Sequence, residues 1–275
     1  MARLAIFQPD ARSGARLTAA LSGVHDLLPC ESWDQLISEI SASGVEGALI
    51  DADHPSPDEA LARVALLRSA FADLAVVGFT ERTRVRDFYE LGEVGLDGFV
   101  SGTDGMLATK GAVDDALAVR RGRAVEDALR PWLQPPAPEA VGWSLAHAGD
   151  NATVEEMAHA LGFSLYALRG MLHERGLPGP ADLMVWGRLL AVAGRLHADG
   201  RKVEETAFAL GYSSSPALAR AVRSRTGLTP RELAGTDFHA VLQLLVRELN
   251  GSDAPADFRE DIIPVADTSR RPPSP

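Results

Sequence analysis

One cysteine, two lysines and no long apolar run set the first limits on this 275-residue chain. A single thiol, Cys30, can form neither an intramolecular disulfide nor a cysteine-based metal site, and in an apolar strand its ordinary role is that of a small buried hydrophobe. The first apolar run, Leu4 to Phe7, is too short for a signal-peptide core and far too short to span a bilayer, so the expectation is a cytoplasmic protein with no membrane partner. No glycine-rich phosphate loop follows a strand, no Ser/His/Asp order stands out, and the seven histidines lack metal-ligand spacing. His54 stands near Asp51 and Asp53, yet side chains adjacent in a loop diverge, and one histidine makes a poor metal site. No catalytic residues, no metal and no cofactor are expected.

Positive charge is also scarce. The chain holds 27 basic against 38 acidic residues, a formal net charge of -11. Neutralising phosphates calls for a basic surface, so the total argues against nucleic acid. The distribution is more informative: residues 1–130 carry 13 basic and 21 acidic residues, whereas 140–235 carry 10 and 9. The acid is concentrated outside 140–235, and a DNA-binding face there would have to arise by sorting charge onto one side.

What the chain has is two kinds of periodicity. Over residues 1–130, short β-like runs alternate with helical spacing, the pattern of a parallel sheet with crossover helices. Five strands are predicted, Leu4–Phe7, His25–Pro29, Gly47–Ile50, Leu74–Phe79 and Gly98–Val100, each followed by a helical segment. The second helix opens at Ser32 with Gln35 as a capping box and carries Leu36, Ile37 and Ile40 on one face. The third opens after Pro57 with Val64, Leu67 and Phe71 inward. Five such units suit an α/β doubly wound sheet of flavodoxin-like order. Four prolines within 130–140 mark a linker, placed at 131–150. An all-α domain over 151–235 follows. Phe238, Val241, Leu242, Leu245, Val246 and Leu249 then recur at helical spacing, predicting one amphipathic helix within 236–251. The remaining 252–275 has too little to bury and is expected to be disordered.

The sharpest signal is a repeat. Residues 153–176 and 202–227 share V-E-E-x-A-x-A-L-G-[FY]-S, a short helix, a glycine turn and a second helix. Ala158 and Ala207 are the small residues that permit close crossing, and Gly162 and Gly211 suit a left-handed turn. Thr153 with Glu156 forms a capping box. The two units, the helical stretch Asp182–His197 between them and the ending GLTPREL (227–233) resemble the tandem helix-turn-helix module of bacterial AraC/XylS transcriptional regulators. The resemblance covers about 82 of the 275 residues. It rests on ALGFS (160–164), Arg188, Leu189, Ala193 and Leu196, ALGYSS (209–214), Leu218, Arg220, and Gly227 with Thr229-Pro230. It implies double-stranded DNA as partner, each second helix entering a major groove, with Ser164, Tyr166 and Arg169, then Ser214, Ser215 and Arg220, facing the bases. RNA polymerase or another regulator, and a second copy of the chain in a homodimer, are the expected protein partners, with dimerisation, partner docking or binding of an unidentified ligand at the strand ends as the expected work of the N-terminal domain. The sequence departs from the family pattern at Gly170, His173 and Ala217, where larger polar or basic residues are common. It departs again at Leu172 and Val222, where phenylalanine is usual, and at Pro216 inside the second reading helix.

The N-terminal order and the run ALIDADHP (48–55) resemble a response-regulator receiver, with Asp51 as the candidate phosphoacceptor and Pro55 four residues on. Phosphoryl transfer to a carboxylate needs a divalent ion held by acidic neighbours and a cation for the new phosphate. Gln8 and Pro9 stand where the family has its acidic pair, Ser101 where it has its lysine, and only Thr80 matches the switch hydroxyl. The expectation is a pseudo-receiver. A phosphorylation-dependent regulator of the same architecture and an adaptor that uses the helix-turn-helix units for protein contacts remain the alternatives.

Overall fold

The β-like runs form five parallel strands in the order β2-β1-β3-β4-β5. They are β1 (Arg3–Phe7), β2 (Asp26–Cys30), β3 (Gly47–Asp51), β4 (Ala75–Thr80) and β5 (Gly98–Ser101), each within a residue of its predicted start. The computed structural model describes residues 2–42, 44–81, 95–198, 202–236 and 238–250, which divide between Arg120 and Arg121 into two units. The helical segment expected after β4 and the tail 252–275 lie outside the described residues.

Strand alternation decides which helix covers which face. Leu4, Ile6, Leu49, Val77 and Phe79 point to one side, where α1 (Ala11–Leu21) and α4 (Met106–Leu129) supply Leu17, Leu21, Val113 and Leu117. Ala5, Phe7, Cys30, Ile50 and Val76 point to the other, against Leu36 and Ile40 of α2 (Trp33–Ala42) and Val64 and Leu67 of α3 (Pro57–Ala70). This is the doubly wound α/β architecture expected, in the flavodoxin-like order that places functional loops at the carboxyl strand ends. The cap of α2 differs slightly from expectation. Ser32 Oγ accepts from the Gln35 amide at 3.1 Å, but Gln35 Oε1 reaches back to the Glu31 N–H at 2.8 Å, one residue before the expected partner.

Two corrections concern the boundary. The first unit ends within α4 at Arg120, earlier than the expected 130. Val125, Ala128 and Leu129 of the same helix are buried in the core of the second unit. Residues 131–150 are no linker, because α5 (Ala137–Ala146) occupies most of them and is buried along Ala137, Ala140, Val141 and Ser144. Pro138 lies in the first turn of α5, where the missing N–H costs nothing, so four prolines did not exclude a helix. Glycine lets α5 pack this closely. A Cβ on Gly142 would come within 2.6 Å of the Gly122 carbonyl of α4, and one on Gly187 would lie 2.4 Å from the Ser144 Cβ.

The second unit is helical throughout the described residues: α6 (Val154–Ala160), α7 (Leu165–Glu174), α8 (Pro180–Ala198), α9 (Val203–Ala209), α10 (Ser215–Thr226), α11 (Pro230–Ala234) and α12 (Phe238–Asn250). Val241, Leu242, Leu245, Val246 and Leu249 of α12 are all buried in one core with α8. The Phe238 side chain lies outside the described residues. Fully burying such side chains contributes roughly 1.5–3 kcal/mol each. Introducing aspartate at both Leu242 and Leu245 therefore costs an amount comparable to the ordinary ~5–15 kcal/mol stability of a domain, through two unpaired buried carboxyls as well as lost apolar contacts. The double variant is expected to aggregate or to lose the cooperative urea transition of the second unit; an unchanged midpoint would show that α12 is peripheral.

In the first unit, His25 Nε2 lies 3.1 Å from Asp114 Oδ1, and Lys110 pairs with the same carboxylate. Burial by itself would raise the Asp114 carboxyl, but hydrogen bonds and charge from His25 and Lys110 outweigh it and hold the group at about 2, below its ordinary 3.8. A depressed carboxyl contributes stability that is present above its unfolded value and is lost as pH falls through its folded one. Urea unfolding between about pH 4 and about pH 2 should accordingly show a steeper loss in the wild type than in Asp114→Asn, with both curves parallel above that window.

Candidate nucleic-acid interface

The repeat folds as two helix-turn-helix units, α6 with α7 and α9 with α10. Thr153 Oγ1 accepts from the Glu156 amide at 3.2 Å while Glu156 accepts from the Thr153 N–H at 2.7 Å, the capping box expected for α6. That backbone hydrogen bond holds the Glu156 carboxyl below its ordinary value. At the turns, Gly162 and Gly211 have φ of 79° and 74°, a conformation costly for any residue with a Cβ. Ala158 and Ala207 are buried at the crossings. Leu168 and Leu172 of α7, and Leu218 and Val222 of α10, are fully buried, so aliphatic side chains at two positions where the family uses phenylalanine still build the core. Pro216 falls in the first turn of α10, behind the N-cap Ser214, and interrupts no helical hydrogen bond.

Local geometry sorts the six expected DNA-facing residues into two kinds. Ser164 and Ser214 are the N-caps of the two second helices, their hydroxyls accepting from Ala167 N at 3.2 Å and Ala217 N at 3.3 Å. Each hydroxyl still has its proton to donate outward. Ser215 opens α10 and is half-buried. Tyr166, Arg169 and Arg220 project into solvent, Tyr166 with 89% of its surface exposed. A large aromatic ring so placed on a short helix buries nothing within the chain.

Superimposing the buried pairs Leu168/Leu172 and Leu218/Val222 shows that the two arginines are not equivalent. Arg169 matches half-buried Ala219, and Arg220 matches exposed Gly170. The next turn pairs His173 with Arg223, both exposed. Arg223 was missed in the sequence, although its i+3 spacing from Arg220 places it on the same face. The first unit thus offers Tyr166, Arg169 and His173, and the second Arg220 and Arg223. Different side chains on the two helices suit a bipartite site with unlike halves.

At the carboxyl strand ends of the first unit, Asp51, Asp53 and Thr80 are tied to one another by hydrogen bonds. Asp51 ends β3, half-buried, with Oδ1 accepting from the Asp53 N–H at 2.8 Å. Burial, reinforced by the neighbouring Asp53 charge, pushes its carboxyl up against the hydrogen bonds from the Asp53 backbone and the Gln8 side chain. The Asp53 carboxylate accepts from the buried Thr80 hydroxyl at 3.0 Å and from the Glu81 N–H at 3.0 Å. Asp10 is committed to capping α1, where it accepts from Ser13 N at 2.8 Å. The Ser101 hydroxyl lies 3.0 Å from that of Thr103, within its own loop. Among the described residues, no group of three His, Cys, Asp or Glu side chains is placed to hold a metal ion, and no helix is long and apolar enough to cross a membrane.

Residues 145–235 match a family model described as a helix-turn-helix domain. No curated protein sequence matches the chain. Among solved structures, the chain is similar to a CheY-like response regulator receiver domain protein from Methanospirillum hungatei JF-1, at 12% identity and a TM-score of 0.39, over 45% of this chain and 98% of that one. It is similar to full-length FixJ from B. japonicum, at 11% identity and a TM-score of 0.38, over 83% of this chain and 98% of that one. It is also similar to RcsB from Salmonella enterica serovar Typhimurium bound to promoter rprA, at 14% identity and a TM-score of 0.35, over 67% and 97%. The flavodoxin-like fold of the first unit follows from its own strand order and two-sided core. Residues 145–235 are a helix-turn-helix domain, by the family model as by the fold of α6 with α7 and α9 with α10.

Proposed function

We propose that the chain reads a bipartite double-stranded DNA site through α7 and α10 and does so without phosphorylation of Asp51. The observation that carries the reading is the exposed face of each second helix, Tyr166 with Arg169 and His173 on one, Arg220 with Arg223 on the other, each following a left-handed glycine turn. An arginine at that depth reaches the O6 and N7 acceptors of guanine with two hydrogen bonds, whereas the N-cap hydroxyls of Ser164 and Ser214, with Ser215 beside the latter, suit phosphate or base-edge contacts. A second copy of the chain, and RNA polymerase or another regulator, are the protein partners this reading expects, in the cytoplasm.

The test uses a duplex selected by the wild-type protein from a random-sequence library, with a scrambled duplex as reference, in fluorescence anisotropy at fixed salt. Arg220→Ala is expected to weaken the selected duplex by at least about tenfold, ~1.4 kcal/mol, and the scrambled one much less. Arg169→Ala should do the same through the other half of the site. Equal losses on both duplexes would reduce these arginines to phosphate contacts, and no loss on either would favour an adaptor that binds protein.

Independence from phosphate rests on how the strand-end groups are engaged. Gln8 offers a neutral amide where a divalent cation would need a carboxylate, Asp10 is held as a helix cap, and Thr80 and the Glu81 N–H are already bound to Asp53. Asp51→Asn should leave DNA affinity and assembly unchanged. A mass increase with acetyl phosphate and magnesium that disappears in Asp51→Asn would overturn the reading.

A further inference from the structure

Arg225 sits in the last turn of α10, five residues beyond Arg220, and faces away from the exposed side of that helix. Its guanidinium binds Asp182 Oδ1, in the first turn of α8, and Glu248 Oε1, in the last turn of α12, the latter at 2.9 Å. The same Glu248 oxygen accepts from the indole N–H of Trp186 at 3.2 Å, and Trp186 is fully buried on α8. Three helices therefore converge on one guanidinium and two carboxylates. Glu248 stands outside the matched region 145–235, so the clamp is closed by a helix that the helix-turn-helix domain itself does not contain. The first reading helix ends differently, with Arg175 donating at 3.0 Å to the Met171 carbonyl of its own helix.

From this geometry we infer that Arg225, Asp182 and Glu248 are positioning residues that fix the second reading helix against α8 and α12, so that Arg220 and Arg223 meet their half of the DNA site in register with the first helix. The inference rests on the DNA-reading function above. Arg225 makes a poor phosphate contact, because its guanidinium is already engaged by two carboxylates. The carboxylates also fix the approach, since α10 can then present only its arginine face. Ion pairs this accessible, with side chains 30% to 41% exposed, contribute little to stability, so their principal consequence is orientation. A misplacement of about an ångström is enough to lose a bidentate base contact, which demands short distances and near-linear hydrogen bonds.

The experiment compares Glu248→Gln and Arg225→Met in the full chain. Glutamine keeps the volume of Glu248 and an acceptor for Trp186 while removing the charge. Both variants should keep the wild-type thermal midpoint within a few degrees. Binding to the library-selected duplex should weaken about tenfold, hydroxyl-radical protection should fade only over the half-site read by α10, and affinity for the scrambled duplex should stay the same. Hydrogen exchange without DNA provides an arm that does not depend on the DNA reading: amides of 215–226 should exchange about tenfold faster in Glu248→Gln while those of 165–174 do not change. Unchanged exchange in 215–226 overturns the clamp whatever DNA does. Faster exchange with no duplex selected by the wild type would leave the clamp standing and overturn the DNA reading. Loss in Arg225→Met on selected and scrambled duplexes alike, with a shallower salt dependence, would make Arg225 a phosphate contact and overturn the inference.

Discussion

Everything in the second unit depends on α8 being buried on most of its circumference. Leu183, Trp186, Leu189, Leu190, Val192 and Ala193 are all inaccessible to solvent. They recur so densely that no polar stripe wide enough to face water remains. A helix of this kind cannot stand at a surface, and it forces other helices to wrap it. α5 approaches through Gly187, α12 brings its leucine stripe, and both helix-turn-helix units lean their inner faces on it. Close packing of this quality transmits geometry, because side chains interlocked at crystal-like density have few alternative arrangements. The spacing of the two reading helices is therefore a property of α8 and its neighbours more than of either unit alone.

In the first unit the strand ends are organised by internal hydrogen bonds. The strand order delivers Asp51, Thr80 and Ser101 to one end of the sheet, where a phosphate chemistry would want them. Asp53 then takes the hydroxyl of Thr80 and the Glu81 N–H for its own carboxylate. Two donors suited to an incoming anion are satisfied from within, and a second anion beside Asp51 would meet repulsion. An internal carboxylate in that seat also fixes Thr80 inward, which turns a group able to move into part of the frame.

Much of this was legible in the sequence, for reasons that differ between elements. Strands β1, β3 and β4 were read within a residue because strands buried on both faces leave continuous apolar runs. The helix-turn-helix units were read because glycine at 162 and 211, alanine at 158 and 207 and the Thr153 capping box act locally, within one turn of their partners. The boundary is not legible in the prolines, because Pro138 is harmless in a first turn, and α5 depends on tertiary contacts at Gly122, Gly142 and Gly187 that no local spacing announces. The Arg225 clamp left no sequence signal. Its partners lie 43 and 23 positions away, and nothing in spacing or composition joins Asp182, Arg225 and Glu248.

Charge sorting explains how a nearly neutral segment can face DNA. Glu155, Glu156, Glu204 and Glu205 occupy the first turns of α6 and α9, where the helix dipole favours acid. Among the described residues, Arg169 and Arg175 on the first second-helix and Arg220 and Arg223 on the other are exposed, while Arg225 is paired with Asp182 and Glu248. Two exposed arginines on each of these helices would by themselves give little sequence-independent affinity, because that term grows with each phosphate neutralised. Low background affinity is an advantage to a regulator that must distinguish one site among many, provided its base contacts are held accurately. Affinity must then come from a handful of side chains in fixed positions, which is why the rigidity of α8 and its clamps bears on recognition as well as on folding.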